Sequence, residues 1–190
     1  KEMENVERIE WLILNESYRL FEDFVNRPDI SRMFKSTIPN MSPETIFYVD
    51  ALKLMWAIAK ADGEVTEKEI EIMNYVTGKF LPKNEIASIV EDGCRKLRET
   101  PFYNIPTTII TLHSFIRFIQ SHPDSHEAGE IIHKFSEIIK QIIHFYMDLG
   151  KCIAKSDGYI SKVEKLEMIN ILKEIKAYIE MDDLELNFNN

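Results

Sequence analysis

The run Lys60-Ala61-Asp62-Gly63-Glu64-Val65-Thr66-Glu67-Lys68-Glu69 returns 95 residues later as Lys155-Ser156-Asp157-Gly158-Tyr159-Ile160-Ser161-Lys162-Val163-Glu164. Each copy reads as the end of one helix, a sharp corner and the start of another. The glycine, lacking a Cβ, suits the positive φ with which helices commonly end. Thr66 and Ser161 then stand as N-caps, with Glu69 and Glu164 three residues on, which is the spacing of a capping box. A chain that twice builds helix, elbow, helix is constrained to a helical architecture with two related halves.

Apolar spacing fills in the remaining elements. Val6, Ile9, Leu12, Leu14, Tyr18, Leu20, Phe21 and Phe24 predict an amphipathic helix over 5–25, stopped before Pro28, with at most a short turn over 29–41. Ser42-Pro43-Glu44 is a strong helix start: a cap, a proline at the first helical position and an acid in the first turn. The helix that follows carries Phe47, Ala51, Leu54, Met55, Ile58 and Ala59 on one side and reaches the first elbow. Beyond it a second helix runs through Met73 and Val76, with Val65 and Ile70 at the positions of a hydrophobic staple. A further helix is expected over 84–98, weakened by Gly93. Over 106–120 the β-branched start Thr107-Thr108-Ile109-Ile110-Thr111 allows a strand. Leu112, Phe115, Ile116 and Ile119 recur at helical spacing, however, and no segment offers a partner strand. The longest helix starts near Ala128 with the stripe Ile131, Ile132, Phe135, Ile138, Ile139, Ile142, Ile143, Tyr146, Leu149 and Ile153. The last starts at Ser161 and carries Leu166, Ile169, Ile171, Leu172, Ile175 and Ile179. The expected fold class is all-α, a helical bundle of about seven helices with an internal duplication. It forms one domain over 1–190, with repeats near 43–80 and 128–181 and an N-terminal extension over 1–41.

Composition narrows the function classes. The chain has 190 residues, 45% of them hydrophobic, enough for a sizeable core. A net charge of −9 argues against nucleic acid or an anionic membrane as the main partner, since both call for clustered Lys and Arg. Cys94 and Cys152 show no paired spacing, as in a reducing cytosol, and each is expected to be a small buried hydrophobe. The chain has no apolar run of membrane-spanning length and no signal-peptide core in its charged first residues. A first residue of Lys is expected of a piece of a longer chain. The location expected is therefore cytoplasmic, with any membrane association made through partners.

The chemistry of the elbows has a plain account: Asp-Gly turns easily, and Thr/Ser-x-x-Glu starts a helix. That account leaves Asp62 and Asp157 at the negative ends of their helices, where an anion is disfavoured, and the chain places one there twice. Asp62, Gly63, Val65 and Glu69 also match the later half of a calcium-binding helix-loop-helix, as do Asp157, Gly158, Ile160 and Glu164. The first and third ligand places of that loop hold Ile58 and Lys60, or Ile153 and Lys155, which supply no oxygen ligand. The reading that uses both copies has the elbows face one another, so that Asp62 and Glu69 approach Asp157 and Glu164. Four carboxylates in one volume repel unless a cation neutralises them, and all-oxygen ligation favours Ca²⁺, Mg²⁺ or Mn²⁺ over zinc.

At these residues the chain resembles the tellurite-resistance TerB family and the related amino-terminal region of DjlA-type co-chaperones. The likeness rests on Ala59-Lys60-Ala61-Asp62-Gly63-Glu64-Val65-Thr66-Glu67-Lys68-Glu69 and its echo Ala154-Lys155-Ser156-Asp157-Gly158-Tyr159-Ile160-Ser161-Lys162-Val163-Glu164, and covers about 43–178. The resemblance implies an internally duplicated all-helical domain whose acids bind a divalent metal. It also implies a non-catalytic role in membrane-associated stress-response or phage-defence assemblies. Matched residue by residue, the acids are Asp62, Glu69, Asp157 and Glu164. Lys162 stands where the first copy has Glu67, and Lys165 where it has Ile70, so the second elbow carries less negative charge and lacks the staple.

Other constellations yield less. His122 and His126 straddle Pro123, so helical ligand spacing does not apply. Glu130-Ile131-Ile132-His133 has the Glu-x-x-His form of di-iron bundles but occurs once, with His133 toward the polar face. His113 is expected to be half-buried and hydrogen-bonded. Trp11, Phe47, Trp56, Phe102, Tyr103, Phe115 and Phe118 are expected in the core. No phosphate-cradling loop, nucleophile elbow or HExxH motif occurs. The function expected is a non-enzymatic interaction module, metal-responsive through the paired acids, that recruits a protein partner. A metal-free helical scaffold is the alternative, and a metal-dependent hydrolase is a third class.

Overall fold

The chain is described from a computed structural model, over residues 39–92, 95, 103–122, 127–156 and 158–180, with single positions between 19 and 35. The helix expected over 5–25, and with it Trp11, lies outside the described residues apart from isolated positions. So do Cys94, Phe102, His126 and Asp157.

Helix α1, Pro43–Ala59, opens as its sequence predicts: the Ser42 hydroxyl accepts from the Thr45 amide at 3.1 Å, with proline at the first position. Ile46, Phe47, Ala51, Leu52, Leu54, Met55, Trp56 and Ile58 are all buried, so the helix is covered on nearly every side. Such a helix belongs at the centre of a bundle. Here it packs against α2 (Glu67–Thr77), α4 (Thr107–Ser121), α5 (Ala128–Ala154), α6 (Lys162–Ile179) and the π turn at Ser88–Asp92. One turn of 3-10 helix, Lys60–Asp62, and Gly63 lead into α2, Glu67–Thr77, which ends on Gly78 at φ 66°. The staple residues Val65 and Ile70 are both buried.

The helix expected over 84–98 is helical at its described residues but changes pitch, and 93, 94 and 96–98 lie outside the described residues. Helix α3 covers Lys83–Ala87 only, and Ser88–Asp92 widens into a π turn that packs on α1. Widened turns of this kind interrupt helices and often accompany functional positions. Helix α4, Thr107–Ser121, is a helix despite its β-branched start. Helix α5, Ala128–Ala154, and α6, Lys162–Ile179, complete six α-helices among the described residues, which include no strand. The bundle is all-α.

Helix α5 buries the expected stripe from Phe135 to Ile153 and adds Phe145 and Met147. Its Gly150 marks the tightest approach in the core. A Cβ there would stand 2.6 Å from Ile58 Cδ1 of α1 and 3.2 Å from Met168 Cε of α6. Cys152 is buried, as expected. Phe118 is not: it is 58% exposed, because α4 turns Ile109, Leu112 and Ile116 to the core, and Phe118 lies instead against the His122 ring at 4.5 Å. Leu166, counted in the apolar stripe of α6, is likewise 57% exposed. No helix among the described residues is long and apolar enough to cross a membrane.

Candidate functional site

The described residues of the two elbows share a turn hydrogen bond and a glycine at positive φ. Gly63 N donates to Lys60 O at 3.0 Å and Gly158 N to Lys155 O at 2.8 Å, with the glycines at φ 116° and 93°. Each cap residue is extended, and each capping box is closed on both sides. Thr66 Oγ1 accepts from Glu69 N at 3.3 Å, while Thr66 N donates to Glu69 Oε2 at 2.7 Å. Ser161 Oγ accepts from Glu164 N at 3.2 Å, and Ser161 N donates to Glu164 Oε2 at 2.9 Å. Lys83 steadies the first elbow from outside, its Nζ donating to Val65 O at 2.7 Å.

The capping carboxylates are buried, Glu69 to 1% and Glu164 to 5% exposure. This is unusual for acids at helix starts, which normally face water. The 3-10 turn of the first elbow packs against α6, the helix that Glu164 begins. Burial is the largest influence on the Glu69 carboxyl and pushes it up from the ordinary 4.5. The Thr66 amide and hydroxyl pull it back down, and the negative charges of Asp62 and Glu164 push it up further. Two of the other acids singled out by the repeated sequence, Asp62 and Glu164, are therefore within electrostatic reach of Glu69. The fourth, Asp157, lies outside the described residues. Asp62 is exposed, with Oδ1 accepting from Glu64 N at 3.4 Å.

Asp62 and Glu164 act on Glu69 across space, and both charges are negative. Lys60, two residues before Asp62, has its Nζ 2.6 Å from Glu91 Oε1 in the π turn, where Trp56 Nε1 also donates at 3.2 Å. The capping boxes use Oε2 of each glutamate and leave Oε1 outside the cap. These donors, all carboxylate oxygens, fit a hard cation. Among the described residues no three His, Cys, Asp or Glu side chains stand together in metal-holding geometry.

A second buried polar group escaped the sequence. Asp50 is 4% exposed within α1, and its carboxylate accepts from the amides of Thr107 and Thr108, both at 2.9 Å. It thereby caps α4 from another helix, in place of the side-chain cap that Pro106 does not give. Tyr146 of α5 donates to the same carboxylate at 3.4 Å and meets Thr108 Oγ1 at 3.3 Å. Desolvation is the main cause that pushes the Asp50 carboxyl up and the Tyr146 phenol well up. The positive charge of Lys53, one turn along, pulls Asp50 back down, and Lys53 Nζ lies 4.7 Å from the Tyr103 ring centroid. The signal was available: Asp50 falls between Phe47 and Leu54 on the apolar side of its helix. The network joins three helices and forms a structural strut.

His113 is buried rather than half-buried. Its Nδ1 has no hydrogen-bond partner, and its ring packs on Tyr178 at 5.1 Å. The expected hydrogen bond at that atom is thus absent. His133 is exposed, in line with its place on the polar face. Compared with known proteins, the chain matches no family model, no curated sequence and no solved structure.

Proposed function

We propose that the two elbows make one divalent-cation-responsive site in a non-enzymatic, TerB-like interaction module. In this reading the elbows are an internal duplication, and the bound ion fixes how the two halves of the bundle meet. The observation that carries it is the charge of Glu164 acting on the buried Glu69 carboxyl, with Asp62 adding to it. Two like charges held together in a poorly solvated place destabilise the fold until a cation offsets them. Carboxylate oxygens select Ca²⁺, Mg²⁺ or Mn²⁺. Asp62, Glu69, Asp157 and Glu164 are the proposed ligands. The partner is a protein of a stress-response or tellurite-resistance-type assembly, recruited by the outer faces of the elbows.

Titration calorimetry with Ca²⁺, Mg²⁺ and Mn²⁺ tests this, read beside melting curves of the wild type and of Asp62→Asn/Asp157→Asn. Saturable heat and a rise in melting temperature are expected for the wild type, and both are expected to vanish in the variant. No heat and no shift with any of the three ions refutes it.

One observation favours the alternative, a metal-free scaffold. Oε2 of both glutamates is already engaged in closing a cap, so each acid has a structural duty without an ion. Partner binding that survives chelation and loss of both aspartates supports that scaffold.

A further inference from the structure

The elbows share a turn hydrogen bond and a glycine at positive φ but present opposite chemistry to solvent. On the first, Glu64, Glu67, Lys68 and Glu71 are all exposed. The equivalent positions on the second are Tyr159, Lys162, Val163 and Leu166, again all exposed. Tyr159 is 70%, Val163 50% and Leu166 57% exposed, so half of the large hydrophobic side chains open to solvent among the described residues lie within eight positions. Lys162 and Lys165 flank them, and the one acid in the stretch, Glu164, is buried. A surface stripe of this kind costs solubility and commonly marks an interaction face.

We propose that copies of this chain associate head to tail, the acidic face of the first elbow and α2 of one copy seating on the apolar, lysine-flanked face of the second elbow and α6 of the next. Charge complementarity selects this occupant. Two lysine-flanked faces set against each other, or two acidic ones, would oppose like charges. An anionic bilayer would be repelled by a chain of net charge −9. The first face also offers apolar surface along the same side of α2, where Tyr75 is half-exposed one turn beyond Glu71 and Phe80 stands 97% exposed past its end. Where both contacts form reciprocally between two copies the assembly closes as a two-fold dimer, and where each copy uses its faces on different neighbours it propagates into a ring or an open filament. The association needs no cation and therefore stands apart from the metal reading: chelation leaves it intact, and a chain that binds no metal still assembles.

Sedimentation velocity of the full chain over a range of concentrations tests it. Species larger than monomer are expected at low salt, growing with concentration and receding at about 0.5 M salt, where exposed charges are screened within a few ångströms. Glu67→Lys/Glu71→Lys spoils the first face, and Lys162→Glu/Leu166→Asp spoils the second. Each variant alone is expected to be monomeric, with the circular dichroism of the wild type. Mixed in equal amounts, they are expected to associate again, since each retains one intact face and the intact faces are complementary. Should either charge reversal fail to fold, Glu67→Gln/Glu71→Gln and Leu166→Gln are expected to weaken assembly at least about ten-fold, the scale of roughly 1.4 kcal/mol. A wild type that stays monomeric at every concentration overturns the proposal. So does a mixture that stays monomeric, an assembly that survives reversal of the first face, or binding to anionic vesicles in place of self-association.

Discussion

Replacing Glu69 by Gln removes a charge but keeps a side chain able to close the cap, since Gln serves at that position of a capping box. In the absence of divalent cations Glu69→Gln is therefore expected to raise stability by roughly 0.5–1 kcal/mol, measured by urea unfolding, because repulsion from Asp62 and Glu164 disappears. The pH dependence has a definite sign. A carboxyl raised above its unfolded value costs nothing below that value, and the cost builds as pH rises through the window up to the folded value. The wild type should accordingly lose stability as pH climbs from the ordinary 4.5 of Glu69, and Glu69→Gln should lose less over the same interval. Asp50 tests the other buried acid. Asp50→Ala leaves the Thr107 and Thr108 amides without this acceptor and is expected to cost about 2–4 kcal/mol. At this scale the sequence disclosed Glu69 and Glu164 because a repeated motif names its own residues. It did not disclose Asp50, whose partners lie 57 and 58 positions away and have no local pattern.

Among the elements, the elbows carry the clearest predictions. Thr66→Ala and Ser161→Ala each remove one accepting oxygen at a helix start and are expected to cost about 1 kcal/mol apiece. Gly63→Ala meets no steric neighbour, yet its φ of 116° is a conformation that an L residue adopts only under strain, so a loss of about 1–2 kcal/mol is expected. Gly150→Val acts by the opposite route, forcing a branched side chain between α1 and α6 at a cost of about 1–3 kcal/mol in melting experiments. Helix starts were legible because caps are local: Ser42, Thr66 and Ser161 all accept the amide three residues on. The π turn at Ser88–Asp92 was not, because it sets Glu91 beside Trp56 and Lys60, more than thirty positions away. The exposure of Phe118 and Leu166 has a similar cause: periodicity shows that a face is apolar, while the packing of neighbours decides how wide the buried part is.

For the whole molecule, an α1 buried on nearly every side makes the two elbows parts of one body, with the first elbow and α6 in contact. In the reading proposed above, that contact turns a repeat in the sequence into a shared patch of charge. The most direct measurement is a double-mutant cycle on Glu69→Gln and Glu164→Gln, with unfolding free energies determined under chelating conditions. If the carboxylates repel one another across the elbows, either substitution relieves the same repulsion. The double variant then gains less than the two single gains together, with a coupling of at least about 0.5 kcal/mol. Effects that add to within about 0.3 kcal/mol would mean that the two acids act independently, and the shared site would be contradicted.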